Sequence, residues 1–142
     1  MPGEADGRAG PGAVGAIDHV ALPMADAEAM VAFYRRLGFE VLEGAHVVQV
    51  HAGDQMINFH RPATWQREGF TLRAPAATPP CGDLCFRWDG PPGSLEARLE
   101  RAGVEVVEGP VARQGGRRAT GSSVYVRDPD RNLLEFISYP DA

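Results

Sequence analysis

The sequence predicts an α+β domain in which two βαβββ repeats form a curved mixed sheet around a central cup. Three features predict it: a short segment written twice, an amphipathic helix before each copy, and a strand hairpin after each. The segment Leu37-Gly38-Phe39-Glu40-Val41-Leu42-Glu43-Gly44 returns as Ala102-Gly103-Val104-Glu105-Val106-Val107-Glu108-Gly109, with five of eight positions identical at an offset of 65. Self-similarity at a fixed offset marks a duplicated supersecondary unit.

The elements follow in chain order. Ile17 to Leu22 is a short, mostly apolar opening strand. Ala25 to Leu37 carries Met30, Val31, Phe33, Tyr34 and Leu37, a stripe of helical period that needs a core to face. Gly38 stands where a helix end calls for a left-handed residue, and Glu40-Val41-Leu42-Glu43 alternates as a strand does. His46 to Val50 then turns at Gly53-Asp54 into Gln55 to His60. Residues 61–80 hold four prolines and read as a connector. The second copy runs Asp83 to Trp88 (strand), Ser94 to Ala102 (helix, ended by Gly103) and Glu105 to Glu108 (strand). A hairpin from Ser122 to Val126 through Asp128-Pro129-Asp130 into Asn132 to Ser138 completes it. Asx, Pro and Gly at the tips are what tight turns require. The expected organisation is a disordered tail over 1–15 and one domain over 16–142: repeat one 16–60, linker 61–80, repeat two 81–140.

Composition narrows the function. A chain of 142 residues, 44% hydrophobic and 23% charged, is ordinary for a single globular domain. A net charge of −5 and a pI near 5.3 would repel a phosphate backbone, which argues against nucleic acid as a partner. No apolar run approaches the roughly 20 residues of a membrane span, and Met1 to Gly15 lacks the apolar core of a signal peptide. A cytoplasmic protein is expected. Cys81 and Cys85 lie four apart on a strand, about 13 Å and so too far for a disulfide. Two buried free thiols are expected.

The repeat also selects candidate site residues. Aligning the hairpins pairs Gln55-Met56-Ile57-Asn58-Phe59-His60 with Asn132-Leu133-Leu134-Glu135-Phe136-Ile137. Glu135, a carboxylate between apolar neighbours, then answers to Asn58, and His60 shares the face of Asn58 two residues on. On the opening strands His19 answers to Asp83 at an offset of 64. Each residue alone has a bland alternative: a satisfied strand histidine, an outward carboxylate, a turn aspartate. Together they place metal-competent side chains on the first and last strands of both copies, which a pseudo-two-fold would bring to the centre.

At these residues the chain resembles the vicinal-oxygen-chelate superfamily of glyoxalases, bleomycin-resistance proteins and extradiol dioxygenases. The matching segments are Ile17 to Leu22, Phe33 to Phe39, and the most specific, Tyr125-Val126-Arg127-Asp128-Pro129-Asp130-Arg131-Asn132-Leu133-Leu134-Glu135-Phe136. Gly53-Asp54-Gln55, Asn58-Phe59-His60 and Glu108-Gly109-Pro110-Val111 look like its glyoxalase-domain and virulence-protein branch. The resemblance implies a divalent metal (Mn, Fe, Ni or Zn) on His19, Asp83 and Glu135. The second ligand position is Asn58 where glyoxalases have a carboxylate, with His60 as the alternative. One or two histidines with two carboxylates suit Mn²⁺ or Fe²⁺ at least as well as Zn²⁺.

Two functions are expected from this. The first is a metal-dependent lyase or isomerase on a small oxygenated substrate, with Glu135 as proton acceptor; a dioxygenase is a further alternative. The second is a metal-free protein that sequesters a drug or metabolite. Asn58, Arg113, Arg118 and Tyr125 are candidates for touching the small molecule. Arg113, Arg117 and Arg118 are expected in a loop around Gly115-Gly116 at the cup mouth, where a solvated basic loop is the alternative. A homodimer is expected from the resemblance.

Overall fold

The computed structural model describes residues 10–140, so most of the tail expected over 1–15 lies outside the described residues. Residues 10–18 are irregular and mostly exposed. The remainder is β1 (His19–Pro23), α1 (Ala27–Arg36), β2 (Glu40–Glu43), β3 (Val47–Ala52), β4 (Gln55–His60), α2 (Pro62–Trp65), β5 (Asp83–Arg87), α3 (Ser94–Ala102), β6 (Glu108–Gln114), β7 (Thr120–Arg127) and β8 (Leu133–Ser138). Two four-stranded sheets form, ordered β1-β4-β3-β2 and β5-β8-β7-β6. In each, the first strand of the repeat lies parallel to the last and the other pairs are antiparallel. A duplicated βαβββ architecture is thus present.

Helix α1 starts where the Asp26 carboxylate accepts from Ala29 N at 3.1 Å, satisfying one donor that the first turn leaves orphaned. It buries Met30, Val31, Phe33 and Tyr34, and Gly38 follows its end at φ +96°. Helix α3 ends on Gly103 at φ +70°. Each fully buried apolar side chain contributes roughly 1.5–3 kcal/mol relative to exposure. The inner faces of both sheets and both helices share one core, which includes Phe59, Val48 and Ile57 from repeat one and Leu134, Phe136 and Val124 from repeat two. Phe39 meets Phe86 edge-on with ring centroids 5.0 Å apart, an aromatic contact between the halves.

Three expectations need correcting. Glu105 to Val107 is not a strand: Val106 and Val107 are exposed, and pairing with β7 opens with Val107 N donating to Tyr125 O at 2.7 Å. The strand starts at Glu108 and is irregular between Glu108 and Val111. There Pro110 offers no N–H, and Gly109 at φ +112° lies against the Ser123 backbone without room for a Cβ. Second, the linker contains α2, which opens on Pro62, a residue preset for the first helical turn. Third, Cys81 and Cys85 are free, as expected, but exposed rather than buried.

The hairpin tip of repeat two ties the halves together. Asp128 and Asp130 are buried. Tyr34 Oη donates to Asp128 Oδ2 at 2.7 Å, and Asn132 donates to both Asp128 oxygens, through its side-chain amide at 2.8 Å and its backbone N–H at 2.9 Å. Asp130 accepts from Ala25 N at 2.7 Å and Asp26 N at 3.0 Å. Burial raises the Asp128 pKa above the ordinary 3.8, while Asn132 and Tyr34 oppose the rise. A carboxyl raised in the folded state contributes stability that is fully present below 3.8 and lost as pH rises through the raised value. Tyr34→Phe removes a donor that favours the ionised form. It should cost about 1.5–3 kcal/mol near neutral pH and distinctly less at pH 3.5, as measured by urea unfolding at both values. An equal loss at the two pH values would refute this account of Asp128.

Candidate functional site

Strand register decides which side chains share a face. In repeat one His19 pairs with Met56 and Ala21 with Asn58; in repeat two Asp83 pairs with Leu133 and Cys85 with Glu135. His19 and Asp83 therefore occupy equivalent positions, as do Asn58 and Glu135. All four lie on the sheet faces turned away from the shared core.

On the first sheet, His19 Nδ1 lies 2.7 Å from Asp18 Oδ1 and its side chain is 45% exposed. A carboxylate on one ring nitrogen orients the imidazole and leaves Nε2 for a ligand. Asn58 pairs with Gln49 on its other side, and its Oδ1 is buried without a hydrogen-bond partner. An orphaned buried acceptor is costly in isolation. Gln49 Oε1 is engaged with His51 Nε2 at 3.0 Å. His60 packs edge-on against Phe70 of the linker, centroids 5.4 Å apart. Burial and the Arg73 guanidinium lower its pKa.

On the second sheet, Glu135 lies between Cys85 and Tyr125 in register. The hydroxyl of Ser123, a fully buried residue, donates to Glu135 Oε2 at 2.6 Å. Ile137, on the same face, is buried yet stands apart from the main core. The Cys85 thiol is pushed up to about 12, first by desolvation and then by the charge of Glu135. It remains a neutral thiol at physiological pH.

The arginines expected together in one loop separate. Arg113 is on β6, its Nε donating to Tyr125 Oη at 3.0 Å and its guanidinium 5.6 Å from the ring centre. Arg117 stacks over Tyr139 at 4.2 Å. It lines a groove of about 980 Å³ with Trp88 and Tyr139, beside the start of α3. Arg118 is in the β6–β7 turn at φ +64°. Of the three, Arg113 is the one joined to Tyr125. Sequence reasoning missed Ser123, Asp18 and Cys85 as neighbours of the candidates. Extending the repeat alignment to β3 and β7 would have found Ser123, because it pairs with Ile137 as Val47 pairs with His60.

The fit of a divalent cation rests on these donors. Their chemistry suits one: an oriented imidazole, two carboxylates and an unpartnered amide oxygen. Among the described residues of one chain, however, no three His, Cys, Asp or Glu side chains come together as a metal-binding group. The donors lie as two pairs, His19 with Asn58 on one sheet and Asp83 with Glu135 on the other. No helix among the described residues is long and apolar enough to cross a membrane.

Comparison with known proteins agrees with the fold. Residues 16–82 match the model of the Glyoxalase/Bleomycin resistance protein/Dioxygenase superfamily. The chain is 37% identical to the glyoxalase domain-containing protein RDO1 of Mycosarcoma maydis, over 91% of this chain and 71% of that protein. It is also 37% identical to the virulence protein STM3117 of Salmonella typhimurium, over 87% and 83%. The crystal structure of that virulence protein superposes with a TM-score of 0.79 at 34% identity, covering 90% of this chain and 99% of that one. A lactoylglutathione lyase from Agrobacterium tumefaciens superposes with a TM-score of 0.64 at 26% identity, covering 87% and 92%.

The state of Cys85 is directly testable. A thiol pKa of about 12 against an ordinary 9.0 leaves roughly a thousandfold less thiolate at pH 8. Iodoacetamide should therefore alkylate Cys85 far more slowly than a free cysteine, read by mass spectrometry in a Cys81→Ser background. Glu135→Gln, which removes the neighbouring charge, should accelerate it. Alkylation of wild-type Cys85 at the rate of a free thiol would contradict the pairing with Glu135.

Proposed function

This chain belongs to the Glyoxalase/Bleomycin resistance protein/Dioxygenase superfamily, and from that premise we propose that it is a glyoxalase-type lyase or isomerase acting on a small oxygenated molecule. The observation that carries the reading is the matched register: His19 with Asp83, and Asn58 with Glu135, on faces turned away from the core. Since these donors do not converge within one chain, we assign the complete cup to a homodimer in which the first-sheet face of one copy meets the second-sheet face of the other.

In that cup Glu135 is the proton acceptor. It is a carboxylate held by Ser123, within a partly buried face where charge is felt more strongly than in water. Arg113, fixed against Tyr125, holds an anionic part of the substrate, and Asn58 Oδ1 accepts from a substrate hydroxyl or N–H. Arg118, in the turn next to β6, borders the same end of the sheet. His19, Asp83 and Glu135 are the residues to hold a divalent cation, Mn²⁺ or Fe²⁺ ahead of Ni²⁺ or Zn²⁺, with Asn58 or His60 beside them. A cation bound there supplies charge stabilisation for two adjacent substrate oxygens.

A metal-free sequestering protein is the second reading, favoured by the amide at Asn58 where a carboxylate would bind a cation better. Metal analysis of protein purified without chelator, with light scattering, separates the readings. The enzyme reading expects a dimer that retains about one divalent ion per cup, and a His19→Ala/Glu135→Gln double variant that folds but retains none. It also expects carbon-bound hydrogen of a small α-hydroxycarbonyl to exchange in D₂O, with Glu135→Gln abolishing the exchange. A monomer with the same metal content in wild type and double variant would remove the metal and the dimer, leaving the sequestering protein.

A further inference from the structure

The hydroxyl at position 123 is not demanded by the fold. Ser123 pairs with Ile137 as Val47 pairs with His60, so the same position in repeat one holds an apolar side chain. Burying a hydroxyl is unfavourable unless it finds a partner, and Ser123 is fully buried. Its hydroxyl's partner is Glu135 Oε2 at 2.6 Å, the short distance of a charge-assisted O–H···O⁻ bond. Repeat one lacks this arrangement. There the valine donates nothing, and the amide oxygen of Asn58, equivalent to Glu135, has no partner. The two copies have diverged as pairs: serine with carboxylate, valine with amide.

We propose that Ser123 is the positioning residue of Glu135, locking one carboxylate oxygen so that the other alone meets the ligand. The terminal torsion of a free glutamate is broad and roughly two-fold, so an unheld carboxylate would present either oxygen over a wide range of angles. Ser123 sits mid-strand, paired with Val111 of β6 on one side and Ile137 of β8 on the other. Its hydroxyl therefore acts from a rigid base, and Cys85 and Tyr125 flank the carboxylate on the neighbouring strands. The consequence is a division of labour. Repeat two offers one fixed anionic oxygen for a proton or cation; repeat one offers a neutral acceptor for a hydroxyl or N–H of the same small molecule. This rests on Glu135 being the working carboxylate of the proposed function.

The test compares Ser123→Thr with Ser123→Val, which share size and shape and differ in the hydroxyl. The infrared carboxylate bands of Glu135, isolated by subtracting the spectrum of the matching Glu135→Gln variant, are recorded with chelator present. Ser123→Val should change the separation of the two stretching bands, and Ser123→Thr should return it to the wild-type value. A second arm titrates Mn²⁺ alone by electron paramagnetic resonance. Loss of an outer hydrogen bond should weaken uptake roughly tenfold in Ser123→Val and leave Ser123→Thr close to wild type. Identical bands in wild type and Ser123→Val overturn the proposal, as does equal Mn²⁺ affinity in a wild type that binds the ion. Wild-type protein that takes up no Mn²⁺ yet shows the band change supports the lock and removes the cation from the proposed function, so the two failures are distinguishable. Circular dichroism confirms that both variants fold.

Discussion

The fold depends on one buried carboxylate. Asp128 sits in the turn of the last hairpin, yet its oxygens are filled by Tyr34 from the first helix and by Asn132 from the start of the last strand. A buried charge without donors would be costly; with three it becomes a joint whose parts come from opposite ends of the sequence. Asp130 adds to it by accepting two backbone N–H groups from the chain entering α1. Asn132 in turn receives the Gly82 N–H at 2.8 Å, which fixes the start of β5. The loop thereby sets where β1 ends, where α1 begins and where β5 starts. These strands carry His19 and Asp83, and β8, which leaves the same loop, carries Glu135.

Duplication supplies a scaffold with two equivalent faces, and the side chains on those faces have ceased to be equivalent. Repeat two gathers Glu135, Ser123, Cys85, Tyr125 and Arg113 on adjoining strands, a surface where charge and hydrogen bonding are tightly coupled. Repeat one gathers neutral or weakly basic groups: His19, Asn58, Gln49 and His51. The linker takes His60 out of that set in part, since Phe70 packs on its ring. The backbone is symmetric and the two faces are not, which is the asymmetry the proposed function draws on.

Much of this was legible in the residues themselves. The Gly38/Gly103 repeat located both helices because glycine after a helix is a local, steric requirement. The hairpin alignment paired Asn58 with Glu135 because a period of two leaves no freedom once the tips are matched. The segment after Gly103 misled because Glu105-Val106-Val107-Glu108 carries the alternation of a strand. The pairing that decides the matter belongs to β7 and to a proline two residues later. Gly115-Gly116 suggests a loop that takes in Arg113, yet Arg113 lies on the strand that the mistaken one displaced. The exposure of both cysteines escaped a reading that knew their residue type but not which face of β5 the core would take. Ser123 escaped because a serine in a strand has no local signature; its meaning lies in the residue across the sheet.

Gly109 shows how far the cup's chemistry extends beyond its lining. It is not itself a candidate ligand-binding group, yet its missing side chain is what lets β6 pass close over the backbone of Ser123, and its left-handed φ excludes most replacements. A Cβ there would lie 2.4 Å from the Ser123 carbonyl oxygen, so one of the two strands would have to shift beside the serine that bonds Glu135. For anyone diversifying this protein in the laboratory, position 109 is a pivot to be left alone. Under the function proposed above, variation directed at Tyr125 or Arg113 is aimed at the ligand, while variation at this glycine is aimed at the backbone from which Ser123 reaches Glu135.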